Sequence, residues 1–402
     1  MTKQRISCSL VDILVVYLKM WYNIFTMSLF SKSESYLGVD IGSGGIKLVE
    51  LHKVKNRPEL WTYGIAEQSL DIHLPEFKEK SAEDLLLNKN FSEKKKEQNI
   101  PTLDDPRVTQ YAELLKVLLK KAKVTTTNTV ASLPVSYVFH AVVNLPVVEK
   151  NELEHIVMAE IKKMLPRPIE EMQVVFQLIP SLETEKGKEK FLRVLVTAAP
   201  RELVAFYSAI FQKAGLQLKE LETEPFALVR SLVGRDTSTS MIVDVGAERT
   251  SFFITEQSLP ITHRSITVGG NTVDAILQRI LGLDKVAVQQ IKVDLSRNIA
   301  NKFNSEDFSA FLNPIIKEIE YSFDLYLHQT GNENKRPEKI ILTGGSAVLP
   351  FLQQEIQSKF PMRVFIGDPW ARVVYQEELK KVLDSIGPRM AVALGLGMRM
   401  IY

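Results

Sequence analysis

Two short stretches about two hundred residues apart carry the residue types that handle phosphate. YLGVDIGSGGIKLVEL runs from Tyr36 to Leu51, and SMIVDVGAERTSFFI from Ser240 to Ile254. Each reads as an apolar, β-branched strand, then Asp-X-Gly, a turn of small residues and a second apolar strand. Gly42, Gly44 and Gly45 let backbone N–H groups approach an anion, and such a turn forms an anion-binding nest. Asp40 and Asp244 each end an apolar strand, where a carboxylate needs a cation or donors beside it. Mg²⁺ keeps several waters and takes only one or two carboxylates, so either aspartate suits a hydrated metal next to a polyphosphate. The alternative at both positions is an aspartate that caps its own turn.

Further candidates cluster around these hairpins in the sequence. The Ser43 hydroxyl can donate to a phosphate oxygen, and Lys47 can reach back to one as a point charge or face solvent. Gly246 occupies the small-residue position of the second turn. In ITVGGNTVDAIL, Gly269 and Gly270 open a helix whose free N–H groups and dipole favour an anion. In ILTGGSAVLP, at 341–350, Gly344, Gly345 and Ser346 follow a strand end and let a flat nucleoside ring lie on backbone, unless they form a plain turn. Glu222 and Glu224 in ELETEPFAL precede a helix that should border the cleft. Either can orient a catalytic water, or sit as an ordinary first-turn glutamate. A P-loop is absent, because no Gly-Lys-Ser or Gly-Lys-Thr occurs. The dinucleotide fingerprint is excluded too, since the glycine turn at 42–45 joins two strands instead of a strand and a helix.

The elements that must position these residues follow from periodicity. Tyr36 to about Leu70 reads as a three-strand meander, and 71–110 as a charged, solvated insert with a Lys94–Lys96 run. Tyr111–Lys123 has leucines at helical spacing, and Thr129–Leu133 is a strand. Residues 135–218 read as a compact β-α-β-β-α unit inserted into the first lobe: strand SYVFHAVVNLP, helix Glu149–Met164, strands QVVFQLIP and FLRVLVTAAP joined by a KGKEK turn, and helix Pro200–Ala214 stopped by Gly215. Residues 219–236 return to the first lobe. A second lobe covers 237–387, and 388–402 is a C-terminal helix.

The 402 residues suit two domains or one bilobal unit, and a net charge of +2 gives no reason to expect nucleic acid. Cys8 is the single cysteine and falls outside the apparent fold, so a reducing compartment is expected. No zinc-type Cys/His spacing exists, and the histidines at 52, 73, 140, 155, 263 and 328 read as structural or surface groups. Ser9–Phe25 is apolar but carries Asp12 and Lys19, and is shorter than the roughly 20 apolar residues a spanning helix needs. It reads as an interfacial helix, an anchor, or an extension (1–26) that the fold does not need, with Met27 as a natural start.

Phosphate hairpin, second phosphate hairpin and glycine-rich nucleoside loop, in this order, resemble the superfamily of actin, the heat-shock chaperone ATPases and the sugar kinases. DIGSGGIK is similar to actin's first phosphate loop at Asp40, Gly42, Ser43, Gly44 and Lys47. MSLFSKSESYLGVDIGSGGIKLVEL, VVNLPVVEKNELEHIVMAEIKKMLPRPIEEMQVVFQLI, VGGNTVDAIL and AVALGLGMRM resemble the PilM family of type IV pilus assembly, a relative of FtsA. FtsA normally ends in a linker and a membrane-binding helix, whereas this sequence ends just past its last helix, at Met400–Tyr402, which favours PilM. The resemblance implies a bilobal α/β, ribonuclease H-like duplicated fold with an inserted α+β (SHS2-type) subdomain. It also implies ATP and Mg²⁺ as ligands, with ATP acting as a conformational ligand and hydrolysis slow at most. Lys292 joins the nucleotide-binding set, while the family's usual glutamate before it is Gln289 here, which leaves one ribose or adenosine contact in question. The implied partner is the cytoplasmic N-terminal peptide of a PilN-like membrane protein. It would be gripped between first lobe and insert at the cytoplasmic face of the inner membrane. An FtsA-like filament scaffold and a small-molecule kinase of the same superfamily are the alternatives.

Overall fold

The computed structural model describes residues 12–14, 34–70, 101–148, 150–180, 191–296, 303–329, 332 and 335–402. Cys8, residues 71–100 of the charged stretch and the KGKEK turn lie outside the described residues.

The first lobe begins with β1 (Asp12–Leu14), β2 (Ser35–Gly42), β3 (Gly45–Val54), β4 (Arg57–Glu67), α1 (Pro106–Lys121) and β5 (Asn128–Leu133). The insert supplies β6 (Phe139–Leu145), α2 (Lys150–Ile161), β7 (Met172–Leu178) and β8 (Leu192–Pro200). The chain returns through α3 (Arg201–Lys213), β9 (Gln217–Thr223) and α4 (Glu224–Leu228). The second lobe contains β10 (Ser240–Val245), β11 (Thr250–Glu256), β12 (Leu259–Ile266), α5 (Gly270–Leu281), α6 (Lys285–Ser296), α7 (Ser309–Leu327), β13 (Lys339–Thr343), α8 (Pro350–Lys359) and β14 (Arg363–Ile366). Helix α9 (Lys380–Met398) closes the chain.

The duplication is visible in strand order. The first sheet runs β1-β4-β3-β2-β5-β9 and the second β12-β11-β10-β13-β14. In each, the strand that carries the aspartate pairs antiparallel with the next strand of its meander and parallel with a later strand (β2 with β3 and β5, β10 with β11 and β13). These central strands are covered on both faces, which is why they read as nearly unbroken apolar runs. Helix α9 packs between the lobes. Its Ala391 and Leu396 share one core with Val130 and Ala227 of the first lobe and Ile242, Phe253 and Ile341 of the second.

The insert differs from its expected outline. Its sheet, β6-β8-β7, has a small core of its own under α2, made of Val143, Leu145, Leu153, Val157, Ile161, Val194 and Val196. Helix α3, expected in the insert, instead buries Leu203, Phe206 and Ile210 against Leu115 and Leu118 of α1 in the first lobe's core. The other face of the insert's sheet leans on the second lobe, where Val142, Ile179 and Leu195 join that lobe's core.

Several helix ends also shift. α1 starts five residues before Tyr111, because Asp105 caps it by accepting from the Arg107 N–H at 2.8 Å and Pro106 fits the first turn. α9 starts well before Pro388, which sits inside the helix. Asp12–Leu14 add antiparallel to β4 at Ile65–Glu67, while the rest of 1–26 lies outside the described residues.

Candidate functional site

The first hairpin is built tightly. Gly42 and Gly45 are the last register pair of β2 and β3, leaving Ser43 and Gly44 as a two-residue turn. Gly45 has φ +128°, and a Cβ there would stand 1.9 Å from the Ala66 carbonyl oxygen on β4, so no other residue fits. Within the same register Asp40 faces Lys47, whose Nζ donates to Asp40 Oδ2 at 3.0 Å. Ser132 Oγ on β5 donates to Asp40 Oδ1 at 2.9 Å. Lys47 is therefore tied to the cleft aspartate instead of pointing to solvent. Ser132 escaped the sequence reading; a polar residue one short of the end of the apolar strand NTVASL was its only signal.

The second hairpin meets the first. β10 and β11 separate after Val245 and Thr250, and the Gly246 N–H donates to the Arg249 carbonyl at 2.9 Å across the turn. The Cβ position of Gly44 lies 3.1 Å from the Ala247 Cβ, so the two turns touch across the cleft. Asp244, the penultimate residue of β10, faces the same space. Burial, followed by the Asp40 charge, pushes its carboxyl up to about 6, with Lys47 opposing. Glu224 opens α4 and accepts from the Val135 N–H at 3.1 Å. Burial and then Asp40 push it up to about 8, against the pull of the Val135 N–H, with Asp244 adding to the rise.

Asp40, Asp244 and Glu224 thus crowd one low-dielectric pocket in which Lys47 is the cation acting on them. That surplus of negative charge fits a divalent cation with oxygen ligands. Among the described residues no group of three or more acidic, His or Cys side chains is disposed to hold a metal directly. A cation here would keep much of its water.

Glu222 does not join this pocket. Arg230 grips it with both Nη atoms, at 2.9 and 2.7 Å, and donates as well to the Gly395 carbonyl at 2.7 Å. It braces β9 against α9, in a different role from the water-orienting one weighed for it.

The far wall of the cleft is made by the second lobe. The helix N–H groups expected to be free at Gly269 and Gly270 are partly taken. Gly270 N–H donates to the Gly246 carbonyl at 2.9 Å and Asn271 N–H to that of Ala247 at 2.7 Å. The N-terminus of α5 therefore anchors the second hairpin. Lys292 donates to the Gly270 carbonyl at 3.0 Å and to Asp274 Oδ1 at 2.9 Å. Gln289 donates to Asp274 Oδ2 at 2.7 Å. Asp274, a buried acid in the apolar helix of ITVGGNTVDAIL, was not singled out by the sequence. A Cβ on Gly270 would lie 2.7 Å from Ser346 Oγ and 2.8 Å from Lys292 Nζ, which brings those three residues together. Gly344 has φ +90°, and its Cβ position is 2.6 Å from Asp244 Oδ1; the nearest atom to that of Gly345 is Arg389 Cγ, at 3.6 Å. The Pro388 carbonyl holds this loop, accepting from Gly344 N–H and Thr343 Oγ1, both at 3.0 Å.

Two sheets of one plan, with a pair of facing hairpins between them, define a bilobal actin-like fold. A solved PilM-PilN type IV pilus biogenesis complex matches it with a TM-score of 0.72 and 23% identity, over 91% of this chain and 98% of that one. The family model for type IV pilus assembly protein PilM matches residues 64–401, and the chain belongs to that family. The first hairpin lies ahead of the matched segment. The chain is also 23% identical over 223 residues to the cell division protein FtsA of Streptococcus pneumoniae serotype 2 (strain D39 / NCTC 7466). That match spans 48% of this chain and 47% of FtsA, so the chain spans about half the length of this curated relative. Among the described residues no helix is long and apolar enough to cross a membrane.

Proposed function

We propose that this chain is a nucleotide-binding adaptor of the type IV pilus machinery that holds the cytoplasmic N-terminal peptide of a PilN-like membrane protein. Family membership supports the pilus assignment. The observation that carries the nucleotide half is the contact of Gly44 with Ala247, which sets Asp40, Asp244 and Glu224 around one pocket. Gly42, Ser43, Gly44, Gly45, Lys47 and Gly246 would cradle the phosphates of ATP. Gly269, Gly270, Lys292, Gly344, Gly345 and Ser346 would flank the nucleoside. Asp40 and Asp244 would hold the waters of Mg²⁺, which neutralises their charge when bound. Glu224, at the start of α4 in the same pocket, would orient a water for slow hydrolysis.

The peptide half has support in the insert. Its sheet ends in β7, an outer strand that leaves Val175 57% and Leu178 50% exposed. An extended peptide covers apolar side chains of that kind and pairs with free strand edges. Docked on a PilN-like protein, the chain would sit at the cytoplasmic face of the inner membrane.

The test is calorimetric titration of the full chain with a PilN-type N-terminal peptide, alone and with Mg-ATP, beside Asp244→Ala. Micromolar or tighter peptide binding that changes with Mg-ATP in the parent but not in Asp244→Ala is expected. ATP binding without peptide binding would remove the adaptor reading and favour a filament scaffold or a kinase. Polymerisation on lipid and phosphoryl transfer to small molecules separate those two.

A further inference from the structure

Glu224 is tied to the insert by two routes. Its carboxylate accepts from the Val135 N–H, and Val135 begins the turn that leads into β6. Two residues after Glu224, on the same short helix α4, Phe226 leaves the first lobe and enters the apolar core of the second. There its ring lies 6.3 Å from that of His140 on β6, and His140 lies 6.4 Å from His263 on β12. His263 stacks on Phe253 at 5.2 Å. One aromatic side chain thus touches all three bodies of the molecule.

The socket around Phe226 is apolar in character. The Nε2 atoms of His140 and His263 are buried without a hydrogen-bond partner, and His140 Nδ1 meets only Thr197 Oγ1, at 3.3 Å. Burial keeps both imidazoles uncharged, and for His263 the neighbouring His140, Arg264 and Arg249 add to that. A few residues away the insert is latched to the second lobe by Arg193, which binds Glu256 through both Nη atoms at 2.8 and 3.1 Å. A shift of α4 therefore meets a clamped insert at a ring-on-ring contact that no hydrogen bond fixes.

We propose that Phe226 is the pin through which occupancy of the acid pocket reaches the insert, so that nucleotide beside Glu224 changes the insert's affinity for a partner peptide. This rests on the nucleotide and peptide reading above. α4 has five residues and Pro225 within its first turn, so Glu224 and Phe226 move as one rigid piece. A ligand in the pocket displaces the Glu224 side chain and its hold on the Val135 N–H, and Phe226 carries the displacement into His140 and β6.

The experiment compares the full-length parent with Phe226→Leu, which keeps an apolar side chain but removes the ring. His140→Leu removes the ring from the other side of the contact and serves if Phe226→Leu does not fold. Peptide affinity is titrated with and without Mg-AMPPNP, and amide exchange over 139–145 is followed on adding nucleotide. The parent should show a nucleotide-dependent change of about fivefold or more, within the usual range of allosteric coupling. The variant should bind each ligand alone within about twofold of the parent, yet show a ratio near one and no exchange response in β6. A ratio of one in a parent that binds both ligands, or an undiminished ratio in the folded variant, overturns the pin alone. Failure of the parent to bind nucleotide or peptide overturns the underlying reading, and the pin with it.

Discussion

Glu222 and Glu224 stand on either side of Thr223 in sequence, yet their carboxylates meet different partners in space. Both stood as equal candidates because a sequence gives carboxylates and spacing but not the direction of a side chain leaving a strand end. In the fold, Arg230 grips Glu222 in a bidentate pair, while Glu224 turns to the Val135 N–H. Glu222→Ala would leave Arg230 part-buried and uncompensated. It should cost about 2–4 kcal/mol in thermal or denaturant unfolding while leaving nucleotide affinity within about twofold. Glu224 should behave in the opposite way. Its carboxyl titrates near 8 in the folded chain, above its ordinary value of 4.5, so the folded state holds a proton that the unfolded state has lost. Stability without a cation is therefore full at acid pH and falls as pH rises through neutrality towards 8. Glu224→Gln should flatten that slope, read as melting temperatures at pH 5 and pH 8, with an unchanged slope counting against it. The aspartates, the hairpin glycines and Lys47 could be picked out from residue type and spacing. Ser132 and Asp274 could not, because a lone hydroxyl in one strand and a lone acid in one helix gain meaning only from distant partners.

Hairpins and strands were the most readable elements, since alternation and Asp-X-Gly turns are local signals. The first hairpin depends on Gly45, and Gly45→Ala would place a methyl against the Ala66 carbonyl in a left-handed conformation. A loss of about 3 kcal/mol or more is expected, measured by denaturant unfolding, together with loss of nucleotide binding. Helix membership was harder to read. The apolar face of α3 would suit either the insert or the first lobe, and only the neighbouring Leu115 and Leu118 of α1 settle where it packs. The free N–H groups assigned to the start of α5 were misjudged for a similar reason, because their partners, the Gly246 and Ala247 carbonyls, lie in another element. The contact between β6 and β12 should respond to acid. His140 and His263 titrate near 4 and near 3 in the folded chain, below the ordinary 6.5. Their contribution is present above about 6.5 and is lost as pH falls towards those values. Protection factors of the β6 and β12 amides, which correct for the slower intrinsic exchange in acid, should fall at pH 5 relative to pH 7, before those of the first lobe's sheet.

At the level of the molecule, the duplicated plan was readable because both halves repeat the same strand–turn–strand device. The embrace of the insert by the second lobe was not, as Arg193 and Glu256 pair across 63 residues from strands with no shared motif. Arg193→Ala should loosen the insert while leaving both lobe cores intact, seen as faster exchange confined to β6, β7 and β8. Two hairpins that meet across one cleft would have to close together on Mg-ATP. Amide exchange of the full chain with and without Mg-ATP examines that closure directly. Slower exchange in both hairpins, near 42–47 and 244–250, and in the loop at 343–346 is the expected result. Protection of one hairpin alone, or of neither, would contradict it.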